Sequence, residues 1–192
     1  GSQNLNGESI AAAQHASYQL ALRLAKHTPA PIKTLNLGGG FGIPYFSHES
    51  ALDLSPIIAA LNEITLHAAQ QLPQAKLHLE LGRYLVGEAG IYVTRIIDKK
   101  VSRGHTYLVA DGGLNHHLAA SGNFGQVIRR NYPVAIVHTH NEEKVGSGDT
   151  APTEHVSVVG PLCTPLDLLA DNVCLPQAMP GDLFVIFQSG AY

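Results

Sequence analysis

The sequence contains no tryptophan, one methionine and only two cysteines, and charged residues make up just 14 % of its 192 positions. Each scarcity excludes something. Cys163 and Cys174 form no C-x-x-C pair, so a disulfide scaffold is ruled out and a reducing compartment, the cytoplasm, is expected. No apolar run reaches the ~20 residues of a membrane span, and the N-terminal stretch lacks a charged segment followed by an apolar core, so neither a membrane partner nor export is expected. The net charge is −3, and basic doublets occur only at Lys99-Lys100 and Arg129-Arg130. That leaves no electrostatic footprint for nucleic acid, and both doublets are expected on solvated surface. Histidine is the one excess, at eleven. His116-His117 and His138-x-His140 nevertheless belong to no H-E-x-x-H helix and meet no paired cysteines, so no metal is expected.

What the chain does have is apolar content, 45 %, enough for a core. Asn6 is placed to cap a helix over 8–27, with Ala13, Tyr18, Leu20, Leu24 and Ala25 as its buried face, ended by Pro29 and Pro31. A strand at 33–37 runs into glycines, and a second helix over 56–72 follows, with Ser55 as cap and Pro56 at its first position. A second strand covers 77–81. This alternation is the rhythm of parallel βα units. After about Gly90 the pattern changes to β-branched or alternating runs at 91–101, 106–110, 134–139, 156–159 and 183–188, which predict an antiparallel β domain. The expected division is therefore 1–89 and 90–192, and the polar loop 141–153 is expected to expose its tip.

Four stretches carry chemistry. Leu35-Asn36-Leu37-Gly38-Gly39-Gly40-Phe41-Gly42 removes side chains from a loop that follows a strand, so that backbone N–H groups can approach an anion. Strand 77–81 ends by delivering Glu80, Gly82 and Arg83, an acid and a fork-shaped cation at one strand end. Gly160-Pro161-Leu162-Cys163-Thr164-Pro165-Leu166-Asp167 presents a cysteine in a turn, and Ser189-Gly190-Ala191-Tyr192 closes the chain. By itself, the glycine loop also fits a tight turn, Glu80 and Arg83 a surface ion pair, Cys163 an inert small hydrophobe and Tyr192 a strand-end aromatic.

Taken together and in this order, the motifs resemble the alanine-racemase-like, fold-type III pyridoxal-phosphate decarboxylases, the family of ornithine, arginine and diaminopimelate decarboxylases. The resemblance implies an α/β plus all-β architecture: the second half of a (β/α)₈ barrel followed by an antiparallel β domain. A complete barrel takes on the order of 250 residues, so the barrel part is expected to begin upstream. It further implies that Ser2, Gly38, Gly39, Gly40 and Arg83 hold the phosphate of pyridoxal 5'-phosphate, that Glu80 pairs with its ring nitrogen, and that Tyr192 helps to hold it. Cys163 would return a proton to Cα after carbon dioxide leaves, acting in the partner subunit's site of a homodimer. Leu81 stands where the family has proline between the acid and Gly82. Asp111-Gly112-Gly113 matches a family turn and is expected to be structural, as is Cys174.

Two departures bear on substrate and completeness. Thr164 stands where the diamino-acid enzymes carry an acid beside the cysteine, and a hydroxyl cannot neutralise an ammonium. The segments 115–124 and 129–133 look more like a branch acting on carrier-protein-tethered aminoacyl groups, so the substrate is expected to be an amino acid or such a tethered group. The resemblance implies that the lysine that binds the cofactor covalently lies upstream, near the start of the barrel; none of Lys26, Lys33, Lys76, Lys99, Lys100 or Lys144 lies in a matching context. Rival expectations are a racemase-type relative, which the Cys163 motif opposes, and an inactive regulatory homologue, which retention of the site residues opposes.

Overall fold

The computed structural model describes residues 2–46, 48–122, 129–139 and 152–191, in two compact units, Gly1–Gly87 and Glu88–Tyr192. In the first, helix α1 (Gly7–Ala25) leads to β1 (Thr34–Gly39), helix α2 (Ser55–Gln71) and β2 (Lys76–Glu80), with a short helix α3 (Gly82–Val86) after it. β1 and β2 pair in parallel, and an isolated parallel bridge joins Asn4 to Phe41. Strand ends from three successive βα units thus lie side by side.

The sequence explains most of this unit. The Asn6 side chain accepts a hydrogen bond from the Ser9 N–H at 2.8 Å, capping α1 as expected. The buried face of α1 differs from the expected one: it is Ile10, Ala11, Gln14, Tyr18 and Ala21, while Leu20 and Leu24 are exposed. The glutamine hid a stripe with regular helical spacing. Ser55 does not cap α2 but is its first residue, because the Asp53 carboxylate accepts the Ser55 N–H at 2.9 Å from outside the helix. Leu35, Leu37, Leu77 and Leu79 alternate along the two strands and pack with Tyr18, Ile64 and Ala68 of the helices. The intervening residues Asn36, His78 and Glu80 occupy the exposed face.

In the second unit, six strands form one sheet in the order β5-β8-β3-β4-β6-β7. These are β3 (Tyr92–Ser102), β4 (His105–Ala110), β5 (Val134–Val137), β6 (Thr153–Val159), β7 (Leu168–Pro176) and β8 (Leu183–Ile186). Every pairing is antiparallel except β4 with β6. Strand β7 has no counterpart in the sequence expectation, because Asp171-Asn172 in its middle looks like a turn. Asn172 does adopt φ 45°, and the strand survives because Ser157 Oγ of β6 accepts the Asn172 N–H at 3.0 Å and donates to Asp171 at 2.8 Å. The Arg129 guanidinium is half-buried rather than solvated, donating to the carbonyls of Ser121 and Leu168, and burial lowers its pKa. Lys99 likewise pairs with Glu154. Most of the 141–153 loop lies outside the described residues.

Candidate active site

The first unit gathers its polar residues at the C-terminal ends of β1 and β2. A bulge opposes Leu37 and Gly38 to the single residue Leu79, and Gly38 takes φ +84°, a conformation that excludes most side chains. The bulge releases the Gly38 N–H from the ladder, and Asn36 Oδ1 accepts it at 2.8 Å. Asn36 Nδ2 in turn donates to Glu80 Oε1. One amide side chain therefore fastens the glycine turn to the acid.

Gly39 is glycine for a packing reason, since a Cβ there would overlap the Glu80 carbonyl. Gly40 accepts the Asn4 N–H at 2.8 Å, and the Gly42 N–H donates to the Asn4 carbonyl at 2.9 Å. The glycine run thus allows three backbones to approach closely. In front of Gly38 there is open space.

Arg83, half-buried in α3, donates from Nη1 to Gln3 Oε1 at 3.1 Å, and its guanidinium lies 5.5 Å from the Tyr45 ring centroid. Gln3 Oε1 also accepts the Ile43 N–H at 3.2 Å, while Gln3 Nε2 donates to the Ile43 carbonyl. Gln3, at φ 57°, thereby holds both the arginine and the segment after the glycines, with exposed Ser2 immediately before it. An acid, a cation, a hydroxyl and a loop without side chains are the groups that a protonated ring nitrogen and a phosphate demand, so the residues present fit pyridoxal phosphate.

The second unit carries Cys163 on an exposed turn between β6 and β7. Within that turn the Thr164 N–H donates to the Leu162 carbonyl at 2.8 Å, and Thr164 Oγ1 accepts the Leu166 N–H at 3.3 Å. Buried or constrained carboxylates tie the neighbouring loops down. Asp111 accepts from Thr94 Oγ1 at 2.6 Å and the Arg95 N–H at 2.8 Å, and these bonds lower its pKa. For Asp182, burial alone would raise the pKa, but the Met179 N–H, the His138 ring and the Thr139 N–H together hold it low. His117, buried against Tyr92 and Tyr132, accepts the Ala120 N–H at Nδ1, which leaves Nε2–H to face Ser189 Oγ at 2.9 Å. Burial lowers the His117 pKa.

Of the sequence-predicted residues, Gly38, Gly39, Gly40, Glu80 and Arg83 are brought into one region with Ser2 on its edge. Cys163 sits in the other unit, and Tyr192 lies outside the described residues. Cys174 is exposed on β7 opposite His155. Among the described residues no group of three His, Cys, Asp or Glu side chains could hold a metal ion, and no helix is long and apolar enough to cross a membrane; His140 is outside that set. Sequence reasoning missed Asn36, Gln3 and Tyr45. Only Asn36 left a trace, as a polar residue in phase with Gly38 inside an apolar strand.

Comparison with known proteins places these features in context. The family described as "Pyridoxal-dependent decarboxylase, C-terminal sheet domain" matches residues 16–190. The chain is 39 % identical over 193 residues to the "L-glutamyl-[BtrI acyl-carrier protein] decarboxylase" of Niallia circulans, covering 100 % of this chain and 44 % of that protein. It is 34 % identical over 166 residues to the diaminopimelate decarboxylase of a Synechocystis species, covering 84 % of this chain and 32 % of that one. The crystal structure of diaminopimelate decarboxylase from M. jannaschii with L-lysine superposes with a TM-score of 0.76 at 24 % identity, covering 100 % of this chain and 41 % of that one. The likeness establishes the expected fold, and this chain spans less than half the length of each of these relatives.

Proposed function

Because this chain belongs to the pyridoxal-dependent decarboxylases, we propose that it is the phosphate-side barrel segment and β domain of an enzyme that removes the α-carboxylate of an amino acid or a carrier-tethered aminoacyl group as carbon dioxide. The single observation that carries this reading is the Asn36 side chain, which links the Gly38 turn to Glu80 beside the Gln3–Arg83 pair. Ser2, Arg83 and the side-chain-free run Gly38 to Gly40 hold the phosphate, and Tyr192 helps to retain the cofactor. When bound, pyridoxal phosphate supplies the sink for the electron pair left on Cα. Glu80, oriented by Asn36, keeps a proton on the ring nitrogen, and Cys163 Sγ returns a proton to Cα.

Thr164 favours the tethered substrate. Its oxygen accepts from Leu166 within the turn, and the O–H and lone pair that remain carry no charge to neutralise an ammonium, whereas the O–H suits a carbonyl or carboxylate. The relative whose name specifies a glutamyl group on an acyl-carrier protein fits that chemistry. Two free cysteines suit a cytoplasmic enzyme.

Glu80 and Cys163 belong to different units, and the reading is that a two-fold dimer builds each site from both chains. Mixing full-length Cys163→Ala with full-length Glu80→Ala tests it. In a heterodimer both defects fall in one site and the other stays intact, so random exchange restores roughly a quarter of wild-type carbon dioxide release, as isologous symmetry requires. Activity that stays at the parental level despite demonstrated exchange overturns the shared site.

A further inference from the structure

The turn that carries Cys163 is held by one buried carboxylate. Asp167 is 2 % exposed. Its Oδ2 accepts the Leu162 N–H at 2.8 Å, and its Oδ1 accepts the Leu114 N–H, from the loop after β4, at 2.6 Å. The Asp167 backbone closes the same turn, its N–H donating to the Thr164 carbonyl at 3.1 Å and its carbonyl accepting the Gly160 N–H at 3.0 Å.

Two glycines make room for this carboxylate. A Cβ on Gly113 or on Gly160 would overlap both of its oxygens. The glycines of the Asp111-Gly112-Gly113 and Gly160-Pro161 motifs, far apart in sequence, thus meet around a single side chain. Outside it, Leu162, Cys163 and Leu166 all point to solvent, at 41 % exposure for Leu162 and 57 % for Leu166. The apolar side chains of the turn are largely exposed, and a carboxylate accepting backbone N–H groups is the strong kind of hydrogen bond available to fix its course.

We propose that Asp167 is a positioning residue: by tying the Cys163 turn to the Gly113-Leu114 loop it sets where the thiol is presented. This rests on the reading of Cys163 given above. In that reading the proton passes from Cys163 Sγ to Cα, the C–H bond forming as the S–H bond breaks, and the thiolate left behind takes a proton from water. Misplacing the donor slows that transfer, and Thr164, whose carbonyl the Asp167 N–H bonds, moves with the same turn.

Asp167→Asn in the complete enzyme is the test, because the amide keeps the shape but must turn an NH₂ group toward one of two N–H donors. Hydrogen exchange at the Leu162 and Leu114 amides should accelerate by about tenfold or more, as expected for donors that lose a charged acceptor. The kcat should fall on the order of 10- to 10²-fold, as a displaced reacting group does. In a Cys163→Ala background Asp167→Asn should cause no further loss. Gly113→Ala, which pushes the same carboxylate aside without removing it, should give the same pattern and serves where Asp167→Asn does not fold. A folded Asp167→Asn enzyme with wild-type protection at Leu162, or a loss that multiplies in full onto Cys163→Ala, overturns the proposal. If Cys163→Ala itself keeps wild-type kcat, the role of the thiol falls, and exchange at Leu162 still decides whether Asp167 holds the turn.

Discussion

The two units hold their functional groups by opposite means. In the first, the Gly38 turn, Glu80 and Arg83 are fixed by neutral amide side chains, Asn36 and Gln3, on an open strand face. In the second, loops are fastened by carboxylates, Asp111, Asp167 and Asp182, whose oxygens accept backbone N–H groups. An amide beside Glu80 and Arg83 orients both without adding charge to the place that, in the function proposed, meets a phosphate and a ring nitrogen. A carboxylate among backbone donors has no such neighbours to disturb, and its charge strengthens every bond it accepts. The neutrality is local to Glu80 and Arg83, since elsewhere in the first unit Glu49 accepts the Tyr45 and Phe46 N–H groups.

The largest effect should come from removing the cation of the first unit. Arg83→Ala takes away a charge-assisted contact, each worth about 1.5–3 kcal/mol, so affinity of the complete enzyme for pyridoxal phosphate should drop by about 10- to 10²-fold, read by fluorescence titration. A drop of less than about twofold would remove Arg83 from the phosphate site. Gly39→Ala comes next. Its Cβ would overlap the Glu80 carbonyl, and overpacking of this kind costs about 1–3 kcal/mol. Hydrogen exchange should localise the loss to β1 and β2 while β4 and β6 keep their protection; a uniform loss would mean that the strand contact matters beyond its own unit.

Thr164→Asp tests the second unit's part in specificity. It places a counter-charge where the chain has a hydroxyl, so kcat/KM for ornithine, lysine or diaminopimelate should rise by about tenfold, equivalent to about 1.4 kcal/mol. A wild-type enzyme already turning over one of these at about 10⁴ M⁻¹s⁻¹ or better would defeat the tethered-substrate reading. The smallest effect is set by His117. Burial lowers its pKa, so between the folded value and the unfolded value near 6.5 the unfolded chain binds more protons, and stability falls as pH drops below about 6.5. His117→Asn should flatten urea midpoints between pH 7 and pH 5. Asp111 and Asp182, with lowered pKa values, act in a separate window: their contribution is present above about pH 4 and is lost as pH falls through their folded values. An unchanged slope in His117→Asn would place the pH sensitivity elsewhere.

Much of the first unit was legible. Helix boundaries, the leucines packed against them and the glycine-acid-arginine order are local properties, written in spacing of 3.6 and 2 and in residues that lie a few positions apart. The second unit was legible in its strands, apart from β7, where a bonded Asp171-Asn172 pair imitates a turn. Cys163 stands out by its motif, but the bonds that Asp167, four residues on, accepts from Leu162 and Leu114 leave no such mark.

The sequence by itself determined which residues are chemically equipped: Glu80, Arg83, Cys163, Thr164 and the glycines that only a crowded or left-handed backbone requires. Tertiary structure alone decided what holds them. Gln3 reaches Arg83 across 80 positions, Asn36 reaches Glu80 across 44, and Asp167 reaches Leu114 across 53. Such pairs leave no periodic trace, because a polar side chain can satisfy its hydrogen bonds with any backbone or side chain that the fold brings within about 3 Å, and sequence spacing does not specify which one that will be.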